Sequence, residues 1–132
     1  MIVIRTAKDL ARALDSPLPP AVKRRLQHHQ HRLAEYDGFE LSELANFLIT
    51  QPADTLEDLN AASPAGPIAG TAGFHLEPEC IERLPGWYEL TFILSDDGFG
   101  LVVFIEQGSI LDRQFANAID SWIADRADSI KP

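Results

Sequence analysis

The sequence predicts an α+β domain in which an antiparallel sheet, with a long hairpin in the C-terminal half, is packed by N-terminal helices and a C-terminal helix. Three observations lead to this prediction. Residues 87–106, WYELTFILSDDGFGLVVFIE, read as two apolar strands joined at Asp97-Gly98, a dipeptide typical of tight turns. Apolar residues recur at helical spacing before residue 50 and after residue 110. The length of 132 residues, without a visible repeat, fits one domain spanning 1–132.

The first forty residues predict two helices. Thr6 is a good N-cap for a helix that runs to Leu14, and residues 2–4 precede it as a short strand or a staple. The proline pair at 19–20 opens a second helix that continues to about Tyr36. One face of this helix is apolar and the others are basic: the first holds Val22, Leu26, His29, Leu33 and Tyr36, and the others hold Lys23, Arg24, Arg25, His28, His31 and Arg32.

The middle of the chain predicts shorter elements. Residues 41–48 have helical spacing, although the apolar run at 47–50 is equally compatible with a buried strand. A capping box with Asp54 as the N-cap predicts a helix over 55–62. The segment 63–73, SPAGPIAGTAG, combines Pro, Gly and Ala so densely that it predicts a mobile loop.

The hairpin register decides which side chains meet. With a two-residue loop, Leu94 faces Leu101 and the matching pairs nearer the open end are also apolar, so one face of the hairpin must be covered by helices. The other face then sets Glu89 directly against Glu106, a pair that could act as a coupled acid and base or hold a cation. A three-residue loop would shift the register by one and remove this pair. The predicted cover is a helix over 112–125, lined by Leu111, Phe115, Ile119, Trp122 and Ile123.

Charge is distributed unevenly along the chain. The net charge is -9, yet residues 1–34 hold seven Lys or Arg against two acids, net +5. Residues 35–132 hold four against eighteen, net -14. The total charge disfavours direct nucleic-acid binding and anionic membranes. The asymmetry is also compatible with two solvated faces, with steering of charged partners, or with a homo-oligomer in which copies stack head to tail.

Candidate chemistry is sparse. His28, His31 and Glu35 share one side of the second helix and make a conceivable zinc site, whose alternative is an exposed basic helix. His29 is expected to be a hydrogen-bonded core or boundary residue. Cys80 has acidic neighbours that disfavour a thiolate, which indicates a small buried thiol. The sequence therefore assigns no catalytic residue, no cofactor and no metal.

Two stretches, LSELANFLITQPADTLEDL at 41–59 and PGWYELTFILSDDGFGLVVF at 85–104, resemble a group of small uncharacterised bacterial proteins associated with plasmids and integrated mobile elements. The resemblance covers about a third of the chain. In this group the pattern is an apolar run, Pro-Gly-Asp-Thr-Leu, a Gly-Trp-aromatic-Glu-Leu strand and a Ser-Asp-Asp-Gly-Phe-Gly hairpin. Ala53 stands here in place of the glycine, and Cys80 lies where more tryptophan is expected. The resemblance implies an accessory protein of a mobile element and transfers no catalytic residue.

The functional hypothesis from the sequence is a non-enzymatic accessory factor that binds an unidentified protein. Trp87, Tyr88 and the tip residues Asp96 and Asp97 are the candidate contact residues, although both aromatics fit half-buried positions equally well. The alternatives are a small metal-dependent hydrolase and an acidic mimic of DNA that inhibits a DNA-binding protein. The N-terminus, MIVIRTAKDL, has neither the apolar centre of a signal peptide nor the length of a membrane span, so we expect a cytoplasmic protein.

Overall fold

The computed structural model describes residues 1–36, 38, 40–70, 72–96 and 98–130, without the side chains of Ser42 and of residues 127–130. Its elements confirm the α+β class. The helices are α1 (Ala7–Leu14), α2 (Pro20–Leu33), α3 (Leu41–Leu44), α4 (Leu56–Ala62) and α5 (Ile110–Ile130). The strands are β1 (Ile2–Ile4), β2 (Ala45–Ile49), β3 (Ala69–Gly70), β4 (Gly73–Phe74), β5 (Cys80–Leu84), β6 (Trp87–Ile93) and β7 (Gly100–Glu106).

The main sheet has five strands in the order β1-β2-β7-β6-β5 and is mixed, because β2 runs parallel to β7 while the other neighbours are antiparallel. The predicted antiparallel arrangement holds for three of the four strand pairs and is corrected at the β2–β7 pair, which is parallel. The helix predicted over 41–48 ends at Leu44, and the strand alternative for the apolar run is the correct one. All five residues of β2 are buried, as expected for a strand that has neighbours on both edges and helices on both faces.

The hairpin of β6 and β7 has a different register from the predicted one. Phe92 lies opposite Leu101, whereas a two-residue loop would place it opposite Val103. The loop is longer because the amide of Leu94 donates to the carbonyl of Phe99 at 2.7 Å, which leaves residues 95–98 between the two strands. A shift of two residues keeps every side chain on its face. The predicted apolar face is therefore confirmed, while the individual pairs are not.

Helices cover both faces of the sheet, and each face has its own apolar core. Helices α1 and α2 cover one face, here the α2 face, through residues such as Leu10 and Leu26 packed on Phe47 and Phe104. Helices α4 and α5 cover the opposite α5 face, where Leu111, Phe115 and Ile119 are buried and Trp122 and Ile123 pack at the margin. The predicted role of the C-terminal helix is confirmed. Among the described residues, no helix is both long and apolar enough to cross a membrane.

The segment predicted as a mobile loop contains a packed turn. Helix α4 begins one residue later than predicted, with Thr55 as the N-cap in a capping box with Asp58. Asn60 in this helix accepts hydrogen bonds from the amides of Ile68 and Ala69 and donates to the carbonyl of Ala69 at 2.9 Å. These bonds hold two buried apolar residues against the α5 face. The prediction rested on Pro and Gly content alone, and it missed the short strand β3 and the side chain that binds the backbone of this segment.

We expect Asn60→Ala to lower the free energy of unfolding by about 1–3 kcal/mol, because buried backbone groups of Ile68 and Ala69 lose their partners. Asn60→Asp keeps the acceptor and loses the donor, so it should fall between the wild type and Asn60→Ala. Urea denaturation of the three proteins measures the order. Equal stability of Asn60→Ala and the wild type would contradict this role of Asn60.

Candidate functional site

A buried carboxylate, that of Glu89 on β6, lies on the α2 face of the sheet. The alternation of β6 places Glu89 on this face, between Trp87 and Thr91, and the residue is only 2% exposed. Its cross-strand neighbours are Phe104 on β7 and Glu82 on β5. Taking a carboxylate out of water is costly unless cations and hydrogen bonds replace the lost hydration. The surroundings of Glu89 must therefore supply them.

Arg25 and His29 on α2 are these partners. They lie four residues apart, on the side of the helix that contacts the sheet. The Nε and Nη2 atoms of Arg25 donate to the two carboxylate oxygens of Glu89 at 2.6 and 3.1 Å. Nε2 of His29 lies 2.9 Å from Oε1. A second carboxylate, Glu82, lies 3.6 Å from Nη2 of Arg25, so the guanidinium bridges two neighbouring strands.

Electrostatics make Glu89 a fixed anion. Burial raises its pKa, but the hydrogen bonds with His29 and Arg25 and the nearby positive charge outweigh burial and lower the pKa from 4.5 to about 2. The bond to Glu89 correspondingly raises the pKa of Arg25. A carboxylate of this kind does not donate a proton near neutral pH. We therefore interpret the cluster of Arg25, His29, Glu82 and Glu89 as a charged tie that fastens α2 to the sheet.

A pocket of about 260 Å³ lies beside this tie, at the C-terminal end of α2. His29 forms part of one wall, Arg32 follows on the same helix, and Tyr36 lies just beyond the end of the helix. The floor includes Gly100 and Thr91 from the neighbouring strands β7 and β6. The remaining lining is mainly apolar and consists of Leu33, Leu44, Ala45, Phe47, Gly98 and Val102. Apolar walls with a few polar groups are typical of binding pockets.

The predicted carboxylate pair does not form. Glu106 lies opposite Trp87, and Glu89 lies opposite Phe104, because the hairpin register differs by two from the predicted one. Glu89 does face a second carboxylate, but that residue is Glu82 on the other neighbouring strand. Arg25 lies between the two, which relieves the repulsion that a bare pair would have.

The predicted contact surface is only partly exposed. Trp87 is 7% exposed and belongs to the core of the α2 face, so its assignment as an exposed contact residue was wrong. Tyr88 points to the opposite face and is half-buried. Asp96 is exposed at the hairpin tip, while Asp97 lies outside the described residues. The aromatic pair is divided between two faces because consecutive strand residues point in opposite directions.

The structure also shows the positions of the histidines and of the cysteine that the sequence singled out. His28, His31 and Glu35 are all exposed, and the described part of the chain holds no group of three His, Cys, Asp or Glu side chains arranged for a metal ion. The prediction for His29 is confirmed, since it is half-buried and hydrogen-bonded. Burial and then the negative charge of Glu82 raise the pKa of Cys80, so its thiolate is disfavoured.

Sequence reasoning missed the role of Arg25. This residue was grouped with the solvent-facing basic residues of α2, yet it faces the sheet. Two signals were available. Glu89 is the one charged residue of a strand that is otherwise uncharged and largely apolar, and Arg25 and His29 flank the buried Leu26 at a spacing of four. A charge that must be buried predicts a cation on the element that covers it.

We expect the stability contributed by the tie to be lost in acid. Because the pKa of Glu89 is lower in the folded state than in the unfolded state, its contribution is full above pH 4.5 and declines as the pH falls towards 2. A shift of this size corresponds to about 3 kcal/mol. Glu89→Gln should therefore lower the free energy of unfolding by roughly that amount at pH 7, and its deficit relative to the wild type should shrink below pH 4.5.

The measurement is urea denaturation of wild type and Glu89→Gln between pH 7 and pH 2.5. Glu106→Gln is the matched control, because it removes a carboxylate from the adjacent strand without touching Arg25 or His29; its effect should be below about 1 kcal/mol. A deficit of Glu89→Gln that does not change with pH would contradict the ionised tie.

Comparisons with known proteins add nothing to this geometry. No protein-family model, no curated protein and no solved structure matches the chain. The resemblance to proteins of mobile elements thus depends only on the two stretches quoted above. Function has to be argued from the charges, the tie and the pocket.

Proposed function

We propose that this chain is a non-enzymatic, cytoplasmic accessory protein that binds an acidic protein partner through the outer side of α2. The observation that carries the proposal is the placement of charge. The basic segment 1–34 forms β1, α1 and α2, and both helices cover the same face of the sheet. The asymmetry along the sequence becomes an asymmetry between the two sides of the protein. Complementary charge steers a partner to one side and excludes like-charged ones.

The contact surface would centre on a basic stripe, defined here as Arg24, His28 and Arg32. These residues recur every four positions along α2 and are all exposed. Arg24 and Arg32 make no ion pair with any residue that the structure describes. A cation without an internal partner keeps its full capacity to pair with an external carboxylate. Lys8 and Arg12 on the neighbouring helix α1 are exposed as well and extend the positive field.

The opposite side has the opposite character. Helix α4 carries the exposed acids Glu57 and Asp58, and α5 carries Asp120 and Asp125. An acidic partner would therefore be attracted to one side of the protein and repelled from the other. This selection supports binding of a single partner in a defined orientation. In a mobile element, where the resemblance would place the chain, such a partner is another protein rather than DNA, which the net charge of -9 disfavours.

The chemistry of the buried tie also supports a binding role. Both oxygens of Glu89 are occupied by Arg25 and His29, and the carboxylate remains ionised far below neutral pH. Cys80, the sole thiol of the chain, has a raised pKa. Glu89 thus serves the fold rather than acid or base chemistry, and the thiolate that a nucleophilic Cys80 would need is disfavoured.

We expect Arg24→Glu combined with His28→Glu to weaken partner capture on the order of tenfold, since one favourable charge is removed and two repulsive charges are introduced at an exposed interface. Tagged protein is incubated with a nuclease-treated lysate of the source cells at low and at high salt, and captured proteins are quantified by mass spectrometry. Asp120→Lys, an exposed charge reversal on α5, is the matched control and should capture the partner as well as the wild type does.

Two results would contradict the proposal. One is equal capture by the double variant and the wild type. The other is a captured protein that disappears after nuclease treatment, which would indicate bridging by nucleic acid.

A further inference from the structure

The pocket at the end of α2 exists because two residues of its floor are small. Gly100 contributes no side chain to the floor, and Thr91 beside it contributes a small one. A Cβ added at Gly100 would lie 3.7 Å from the carbonyl oxygen of Phe92 and 4.0 Å from that of Leu44, both ordinary contacts. The backbone there therefore does not require glycine. Glycine at position 100 leaves space above the sheet.

The rim of the pocket is apolar and exposed. Tyr36 is 53% exposed and lines the pocket. Ile93 is 44% exposed, lies opposite Gly100 in the hairpin and projects from the same face as Thr91. Single exposed apolar side chains are common on protein surfaces, but Tyr36 lines the pocket and Ile93 is the cross-strand neighbour of the pocket residue Gly100. The exposed ring of Tyr36 would lose solvent contact if another apolar group entered the pocket.

The volume limits the occupant. Drug-sized ligands occupy pockets of about 300–1,000 Å³, and a cavity of about 150 Å³ is enough for benzene. A pocket of about 260 Å³ therefore fits one large aromatic side chain better than a nucleotide or an extended cofactor. Rings of this kind also stack favourably against the tyrosine and the imidazole at the walls and against an arginine at the rim.

Charge defines the surroundings of that side chain. Arg32 lines the pocket and is the last member of the basic stripe, so the stripe leads directly to the opening. Carboxylates on either side of an inserted ring would reach Arg32 and, one turn back along α2, His28. An acidic segment with an apolar anchor combines both requirements. Buried aromatic anchors surrounded by polar contacts are the usual energetic centre of an interface.

We propose that the pocket between the C-terminal end of α2 and the strands β2, β7 and β6 receives an aromatic side chain from an acidic peptide segment of the partner. This inference rests on the proposed binding function and specifies the part of the partner that is recognised. The ring enters above Gly100, and its acidic neighbours pair with Arg32 and His28. Specificity then comes from the pocket, and the stripe contributes attraction and orientation.

The test uses fluorescence anisotropy with three labelled peptides: GESEWESEG, its alanine version GESEAESEG and the basic version GKSKWKSKG. We expect the first to bind the full-length protein saturably at low salt. The alanine version should bind at least tenfold more weakly, and the basic version should not bind. Gly100→Leu fills the pocket and should reduce binding of the tryptophan peptide to the level of the alanine peptide. Arg32→Gln should weaken binding several-fold and make it less sensitive to salt.

Controls separate the pocket from general effects. Arg83→Gln removes an exposed arginine from β5, and Ala124→Leu adds an apolar side chain to an exposed position of α5; both should bind the tryptophan peptide as the wild type does. Circular dichroism and thermal unfolding check each variant. If Gly100→Leu does not fold, Gly100→Val and Tyr36→Ser, which changes only the exposed rim, replace it.

The failure of this inference is distinguishable from failure of the proposed function. Equal binding of the tryptophan and alanine peptides, weakened in both cases by Arg24→Glu with His28→Glu, would overturn the pocket and leave the acidic-partner function standing. Absence of binding by every acidic peptide would overturn the pocket, and lysate capture would decide the function separately. Indole-3-propionate binding as tightly as the peptide would identify a small-molecule site instead. Self-association of the wild type that Gly100→Leu abolishes, measured by sedimentation, would identify a second copy as the occupant.

Discussion

The packing of α2 on the sheet depends on the neutralisation of one buried anion. Glu89 occupies a position that the apolar pattern of β6 would otherwise give to an aliphatic residue, and the helix above it supplies two hydrogen-bonding partners from successive turns. A buried carboxylate without hydrogen-bonding partners is energetically costly, and Glu89 has both partners only when α2 lies in this position. Leu26 packs from the same helix between the two partners. The charge fixes the position of α2, and the apolar contacts provide most of its stabilisation.

The same constraint explains why one end of α2 is closely packed and the other is not. Near Arg25 the helix is drawn onto β6 and β5, and the core is filled by Trp87 and Phe104. Beyond His29 the helix ends at Leu33, and the strands beneath it carry the small residues Gly100 and Thr91. The gap is a result of where the tie lies and of how small the floor residues are. A surface that is rigid on one side and open on the other is suited to receive an inserted group without rearrangement.

The parts of this fold that were predictable from sequence are those governed by local periodicity. The faces of the hairpin and the apolar side of α5 were predicted correctly, because side-chain direction in a strand or helix depends only on spacing. The hairpin register was not predicted correctly, because a slip of two residues leaves the side chains of each face unchanged. Only the loop conformation distinguishes the predicted register from the observed one. The strand β2 follows directly after a helical turn, and its pairing with β1 and β7 makes it a strand. Arg25 was missed for a related reason: its role depends on a carboxylate 64 residues away in the chain.

The position of β2 between β1 and β7 has a consequence for how the chain folds during synthesis. The N-terminal helices and β2 are made long before β7, yet β2 needs β7 on one edge to complete its hydrogen bonds. The hairpin of β6 and β7 can form locally and early, whereas insertion of β2 beside it closes a loop of more than fifty residues and comes late. Until then, Arg25 and His29 lack the carboxylate of Glu89, and β2 lacks one of its two neighbouring strands. Until β7 has left the ribosome, a nascent chain therefore exposes one edge of the apolar strand β2, and exposed strand edges favour aggregation during synthesis.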